Sequence, residues 1–164
     1  MSTRHSLGGR SLHRWVVGFP VLFFTLTFAF FGVYALEHDG GWLRAAFMTN
    51  IAAILAAVGA GALGLLDFRG IPARHPARTL AVAHATLNSA SIALLIGNLV
   101  MHEPFVAAAL RNQRDVLLRF EASASLTLTG IVLAITVVSG AIGFRMAHHH
   151  RVGRVPVLTR SSAV

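Results

Sequence analysis

Four windows of this sequence each contain about twenty mostly apolar residues, the length that an α-helix needs to cross the hydrocarbon core of a bilayer. They cover residues 15–36, 43–66, 79–101 and 122–147. The whole chain is 55% hydrophobic and 12% charged, whereas a soluble domain carries about 25% charged residues. The windows therefore predict an all-α integral membrane protein, a four-helix bundle with up-and-down topology.

The arginines predict the orientation of this bundle. Up-and-down topology puts both termini and the second loop on one side, the inner end, which holds ten of the fourteen Arg and one acidic residue, Asp67. The other side, the outer end, holds four Arg and five acidic residues. Because Arg accumulates in cytoplasmic loops, we expect both termini in the cytoplasm and a multi-pass protein of the bacterial inner membrane. We attribute the net charge of +8 to this topology and expect the lipid bilayer, not nucleic acid, as partner.

The same pattern divides the chain into three parts. Residues 1–14 are expected to form a cytoplasmic N-terminal segment, residues 15–147 the transmembrane domain, and residues 148–164 a basic cytoplasmic tail. The tail begins with three adjacent histidines at residues 148–150. Adjacent side chains on a helix end do not converge on one metal ion, so we interpret this run as solvated.

The third loop, residues 103–121, has the pattern of a short amphipathic helix. Pro104 suits the first turn of a helix, and apolar side chains recur on one face. They are Val106, Leu110, Leu117 and Phe120. We expect this helix to lie on the membrane surface, with a position over the mouth of the bundle as the alternative.

A line of polar side chains follows one face of the third span. Its members are His84, Asn88, Ser91, Asn98 and His102. Their spacings of 4, 3, 7 and 4 place them on one face of an α-helix. Polar groups inside a bilayer are costly and turn toward protein, water or a ligand. We therefore expect the functional site on this face.

Small and hydroxyl-bearing residues predict where the other spans pack closely. The second span carries Ala53, Ala57, Gly61 and Gly64. The fourth carries Ser125, Thr129, Thr136, Ser139 and Gly143. Tight helix packing accounts for most of these residues without a ligand.

The histidines of the first and third spans raise the question of a cofactor. These two spans run in the same direction and can face each other diagonally, the arrangement in which two His hold a b-type haem. His13 with His84 is the inner candidate, with Asp67 and Asn88 nearby, and His38 with His102 is a weaker outer one. Two alternatives stay open: the histidines are interfacial or hydrogen-bonded to neighbouring groups, or they belong to a proton relay with Asp67.

The sequence contains no recognisable catalytic machinery. A G-x-G-x-x-G match at residues 59–64 lies inside an apolar span, whereas the dinucleotide fingerprint requires a strand before the glycines and a helix after them. The chain has no Cys, which excludes thiolate chemistry and disulfides. We therefore expect that the protein is not an enzyme.

Three segments resemble a known family. LHRWVVGFP, GALGLLDFRGIPARHPAR and AVAHATLN are similar to the bacterial predicted membrane proteins called domain of unknown function 2231. The resemblance covers residues 12–102, and the fourth span fits that family's four-helix layout. It implies recurrent positions at His13, Phe19, Pro20, Gly64, Asp67, His84 and Asn88.

The resemblance also has a functional implication and one departure. The family often has His-Pro at the start and a second His before Phe-Pro, where this chain has Arg14 and Gly18. A ligand supplied by that second His is therefore missing here. Some relatives are joined to cytochrome c or Rieske modules, which implies a redox setting.

Two functions follow as hypotheses. The first is a small redox or electron-transfer accessory subunit, with a redox protein or membrane complex as partner and b-type haem at His84 and His13. The alternative is a non-catalytic structural or transport-type bundle that binds a partner, an ion or a small solute on the polar face of the third span.

The orientation is tested with reporter fusions. Green fluorescent protein fused after residue 164 should fluoresce, and alkaline phosphatase inserted at Asn112 should be active, because the Arg distribution puts the tail inside and the third loop outside. The reverse pattern, an active phosphatase at the C-terminus and an inactive one at Asn112, would contradict the predicted orientation.

Overall fold

The computed structural model describes residues 6–7, 10–11 and 16–149. Two short strands, β1 (Ser6–Leu7) and β2 (Arg10–Ser11), pair antiparallel ahead of the helices. The helices that follow are α1 (Gly18–Glu37), α2 (Gly40–Arg69), α3 (Ala77–Met101), α4 (Glu103–Leu110), α5 (Arg114–Leu117) and α6 (Ser123–His149).

Four of these helices are long and apolar enough to cross a membrane, namely α1, α2, α3 and α6. Their bounds lie within a few residues of the predicted windows, so the all-α four-span prediction is confirmed. The extensive contacts join α1 with α2, α2 with α3, α3 with α6, and α6 with α1. The first and third spans are therefore diagonal partners in an up-and-down bundle.

The turn between α1 and α2 shows why these helices form an antiparallel hairpin. His38 adopts a left-handed conformation with φ of 54°, and its N–H donates to the carbonyl of Tyr34 at 2.8 Å. Asp39 then caps α2, because its carboxylate accepts the N–H of Gly41 at 2.6 Å. Two residues thus end one helix and start the next, which keeps the pair α1–α2 in close contact.

An apolar layer crosses the middle of the bundle. It consists of Phe24, Ala53, Ala57, Leu95 and Val132. Leu95 and Val132 are each 1% exposed, and the layer includes at least one residue from each of the four spans. It separates the polar groups of the inner half from those of the outer half.

The third loop closes the outer end of the bundle. Phe120, which follows α5, inserts its ring among Phe31, Phe47 and Tyr34, with ring centroids 5.5 to 6.1 Å apart. The hydroxyl of Tyr34 lies 2.9 Å from the carbonyl oxygens of both Leu117 and Phe120, so its proton is shared between them. Residues of the loop therefore form part of the buried core.

The helix in the third loop buries a different face from the predicted one, and its position relative to the membrane surface stays a prediction. A helix is present at Glu103–Leu110, but its buried face is Ala108 and Ala109, and Leu110 is 59% exposed. Small side chains let α4 approach α2 closely, where the Nε of Arg44 donates to the carbonyl of Ala109 at 3.1 Å. This contact favours the alternative, a helix over the mouth of the bundle.

The Tyr34 hydroxyl should be essential for this closed end. Tyr34→Phe removes the donor while both carbonyls stay buried, which should destabilise the protein by about 1–3 kcal/mol. Thermal unfolding in detergent measures the effect, and Thr25→Val is the control, because its exposed hydroxyl bonds only within α1. Equal melting temperatures for the two variants would show that the hydroxyl does not hold the loop.

Candidate functional site

The polar line of α3 lies on the face that α3 turns toward the other spans. Ser91 and Asn98 are buried with Leu95 between them, and His84, Asn88 and His102 are half-buried. Four of the five predicted polar residues lie within α3, and His102 directly follows it. The inner part of the line, His84 and Asn88, is thus more accessible than its centre.

Ser139 on α6 contacts the imidazole of His84 with two of its atoms. The Nδ1 of His84 lies 2.9 Å from the carbonyl oxygen of Ser139 and 2.8 Å from the hydroxyl of the same residue. A carbonyl oxygen only accepts hydrogen bonds, so this contact is favourable when Nδ1 carries the proton. We assign that tautomer to His84 on this basis, which puts the lone pair of the ring on Nε2.

Asn88 completes the group. Its amide donates to the hydroxyl of Ser139 at 2.9 Å and to the carbonyl of His84, one turn earlier in α3, at 2.8 Å. His84, Asn88 and Ser139 therefore form one hydrogen-bonded cluster, which we call the inner cluster. The sequence pattern assigned Ser139 to helix packing, and its role in orienting the histidine became visible only when α6 was placed against α3.

Small residues lie next to the inner cluster. A Cβ on Gly143 would lie 3.4 Å from Cε1 of His84, in ordinary contact, so the imidazole packs against the backbone of α6. On α2, the buried residues of the inner half are Ala57 and Ala60, and Leu63, Gly64 and Phe68 are half-buried. Bulky side chains are concentrated at the other end of the bundle.

Asp67 lies at the inner end of the bundle, closer to the end of its helix than His84 is to the start of α3. It is half-buried two residues before the end of α2, about 3 Å inside that helix, whereas His84 lies about 10 Å inside α3. The α2–α3 loop beside it is ordered by Arg78, which donates to the carbonyl of Ile71 at 2.9 Å and stacks 4.5 Å over the ring of Phe68. The four predicted site residues are thus only partly brought together.

His13 lies outside the described residues, so the structure gives no position for the second predicted haem ligand. At the outer end, aromatic rings occupy the space between the other two histidines. His102 packs on Phe120 at 4.9 Å, Phe120 on Tyr34 at 5.8 Å, and Tyr34 on His38 at 5.9 Å. His38 and His102 therefore do not face each other across an open core.

The central apolar layer interrupts the polar line of α3, so the line does not form a continuous path for protons. Leu95 stands in the polar line itself and Val132 stands beside it on α6, both fully buried. Within the described part of the chain, no group of three or more His, Asp or Glu side chains is arranged to hold a metal ion. The layer thus separates the inner cluster from the polar residues of the outer half.

Comparison with known proteins supplies one match. The family model described as predicted membrane protein (DUF2231) matches residues 9–156, a range that includes all four spans and all four predicted site residues. Neither a curated protein nor a solved structure matches the chain.

The tautomer of His84 is a measurable consequence of this geometry. Imidazole ¹⁵N NMR of the protein in detergent should show a protonated Nδ1 and an unprotonated Nε2 for His84. Ser139→Ala should leave this assignment unchanged, because the backbone carbonyl remains when the hydroxyl is removed. A proton on Nε2 in the wild-type protein would mean that the hydroxyl donates to Nδ1 and that the assignment is wrong.

Proposed function

The chain belongs to this family of predicted membrane proteins, and from that premise we propose that it is a small accessory subunit for electron transfer in the bacterial inner membrane. In this proposal His84 ligates a b-type haem at the cytoplasmic side. A redox protein or a larger membrane complex is the partner, and the chain carries no catalytic machinery of its own.

The observation that carries the proposal is the contact between Nδ1 of His84 and the carbonyl of Ser139 at 2.9 Å. A histidine that ligates a metal usually donates its other ring N–H to a carbonyl or carboxylate, which fixes the tautomer and raises the basicity of the ligating nitrogen. Asn88, which holds the hydroxyl of the same serine, supports this orientation. The bound group would supply one-electron chemistry.

The residues around His84 fit a flat cofactor in three respects. The imidazole is half-buried, Gly143 of α6 lies against it without a side chain, and Asn88 and Ser139 meet it on one side of α3. His13, which precedes the first span and lies outside the described residues, is the proposed second ligand. Asp67 is the proposed polar group at the mouth, and Asn88 is a positioning residue for His84.

The sealed outer end supports a one-sided binding site and weighs against a solute path. Tyr34 and Phe120 close that end, and Leu95 and Val132 close the middle. The alternative hypothesis, a non-catalytic bundle that binds a partner, an ion or a small solute, uses the same inner cluster without haem.

Absorption spectroscopy of the purified protein separates the two hypotheses. Protein expressed with ample haem supply should show the α-band of a reduced b-type haem, and His84→Ala should abolish it because the iron loses its ligand. His13→Ala should also weaken the α-band, because His13 is the proposed second ligand.

The control is His102→Ala. His102 directly follows α3 and also places Nδ1 2.9 Å from a carbonyl, that of Asn98, but it is at the outer end. This variant should keep the full spectrum. Colourless, folded wild-type protein would reject haem binding and favour the alternative.

A further inference from the structure

Two buried amides in the outer half of the bundle have unsatisfied atoms. Asn50 on α2 and Asn98 on α3 are both 0% exposed. In the described part of the chain, the buried side-chain atoms without a hydrogen-bond partner are Oδ1 of Asn50 and Nδ2 of Asn98. We infer that these two atoms bind one water molecule between them, a site independent of haem and of the inner cluster.

The other atoms of the two amides fix the direction of the unsatisfied ones. Asn98 accepts the hydroxyl of Ser125 on α6 at 2.7 Å through Oδ1, so its NH₂ group points away from α6. The Nδ2 of Asn50 lies 3.4 Å from the carbonyl of Leu95, one turn before Asn98. Both amides therefore meet the same turn of α3, one from its own helix and one from α2.

The chemistry of the pair selects the ligand. One unsatisfied acceptor and one unsatisfied donor require a neutral molecule that donates to Asn50 and accepts from Asn98. The NH₂ group of Asn98 repels a cation, and the carbonyl oxygen of Asn50 repels an anion. The amide of Asn50 could also be placed with its oxygen and nitrogen exchanged. This orientation is unfavourable, because the amide oxygen would then lie 3.4 Å from the carbonyl oxygen of Leu95.

The two threonine hydroxyls that are fully buried in the described part of the bundle already donate their protons elsewhere. Thr129 donates its hydroxyl proton to the carbonyl of Ser125 at 2.6 Å, and Thr27 donates to the carbonyl of Phe23 at 2.7 Å. Both hydroxyls are thus bonded within their own helices. A buried water commonly satisfies polar groups that the protein leaves unpaired, and here it would bridge α2 and α3.

The site is enclosed on both sides, which makes the water slow to exchange. The aromatic group around Phe120 lies on the outer side, and the central apolar layer with Leu95 lies on the inner side. The water would join the tightly packed helix pair α1–α2 to the pair α3–α6. The direct hydrogen bond from Asn50 to Leu95, which also joins these pairs, is long and weak.

NMR of the wild-type protein labelled with ¹⁵N-asparagine tests the inference without any variant. The chain has four asparagines, at positions 50, 88, 98 and 112. The side-chain NH₂ of Asn98 should show a nuclear Overhauser effect to a bound water and slow exchange with deuterated solvent. Asn112, exposed in a loop, is the internal reference for rapid exchange with bulk water.

Two near-isosteric variants supply the second measurement. Asn50→Leu should abolish the water signal at Asn98, and each of Asn50→Leu and Asn98→Leu should lower the melting temperature. The double variant should lower it by less than the sum, because both unsatisfied atoms are then gone. A direct contact between the two amides without a water signal, or rapid exchange at Asn98 equal to that at Asn112, would overturn the inference.

Discussion

The contact between the polar face of α3 and the hydroxyl-bearing face of α6 is the constraint on which the rest of the bundle depends. A polar side chain facing lipid would have no partner, so His84, Asn88 and Asn98 must turn inward. There they meet Ser125 near the start of α6 and Ser139 farther along the same helix. This pairing fixes the rotation of α3, and the outward residues such as Val82, Ile96 and Val100 are left for the lipid.

The two ends of the bundle differ because their side chains differ in size. Phe31, Tyr34, Phe47 and Phe120 fill the outer half, where the side chains of Asn50, Asn98 and Ser125 are fully buried. Ala and Gly dominate the inner half, where His84 and Asn88 stay half-buried. The closed outer end and the buried apolar layer in the middle of the bundle weigh against a path through the membrane.

Much of the fold could be predicted from the sequence, but less of the site. The four spans and the shared face of the polar residues follow from hydropathy and helical periodicity, which are local properties. The partner of His84 could not be predicted, because Ser139 carries the same small-residue signal as its packing neighbours. Likewise, the apolar pattern of the third loop fits both lipid and protein, and only the Tyr34 hydroxyl shows that it belongs to the core.

The sequence by itself determined that the chain crosses a membrane four times and that one face of the third span is polar. Both conclusions rest on the high free energy of polar groups in hydrocarbon, which acts on each segment separately. Only the tertiary structure decided that His84 meets a carbonyl of α6, that rings separate His38 from His102, and that Asn50 and Asn98 meet one turn of α3. These contacts depend on how four helices rotate and shift against one another, and no single segment carries that information.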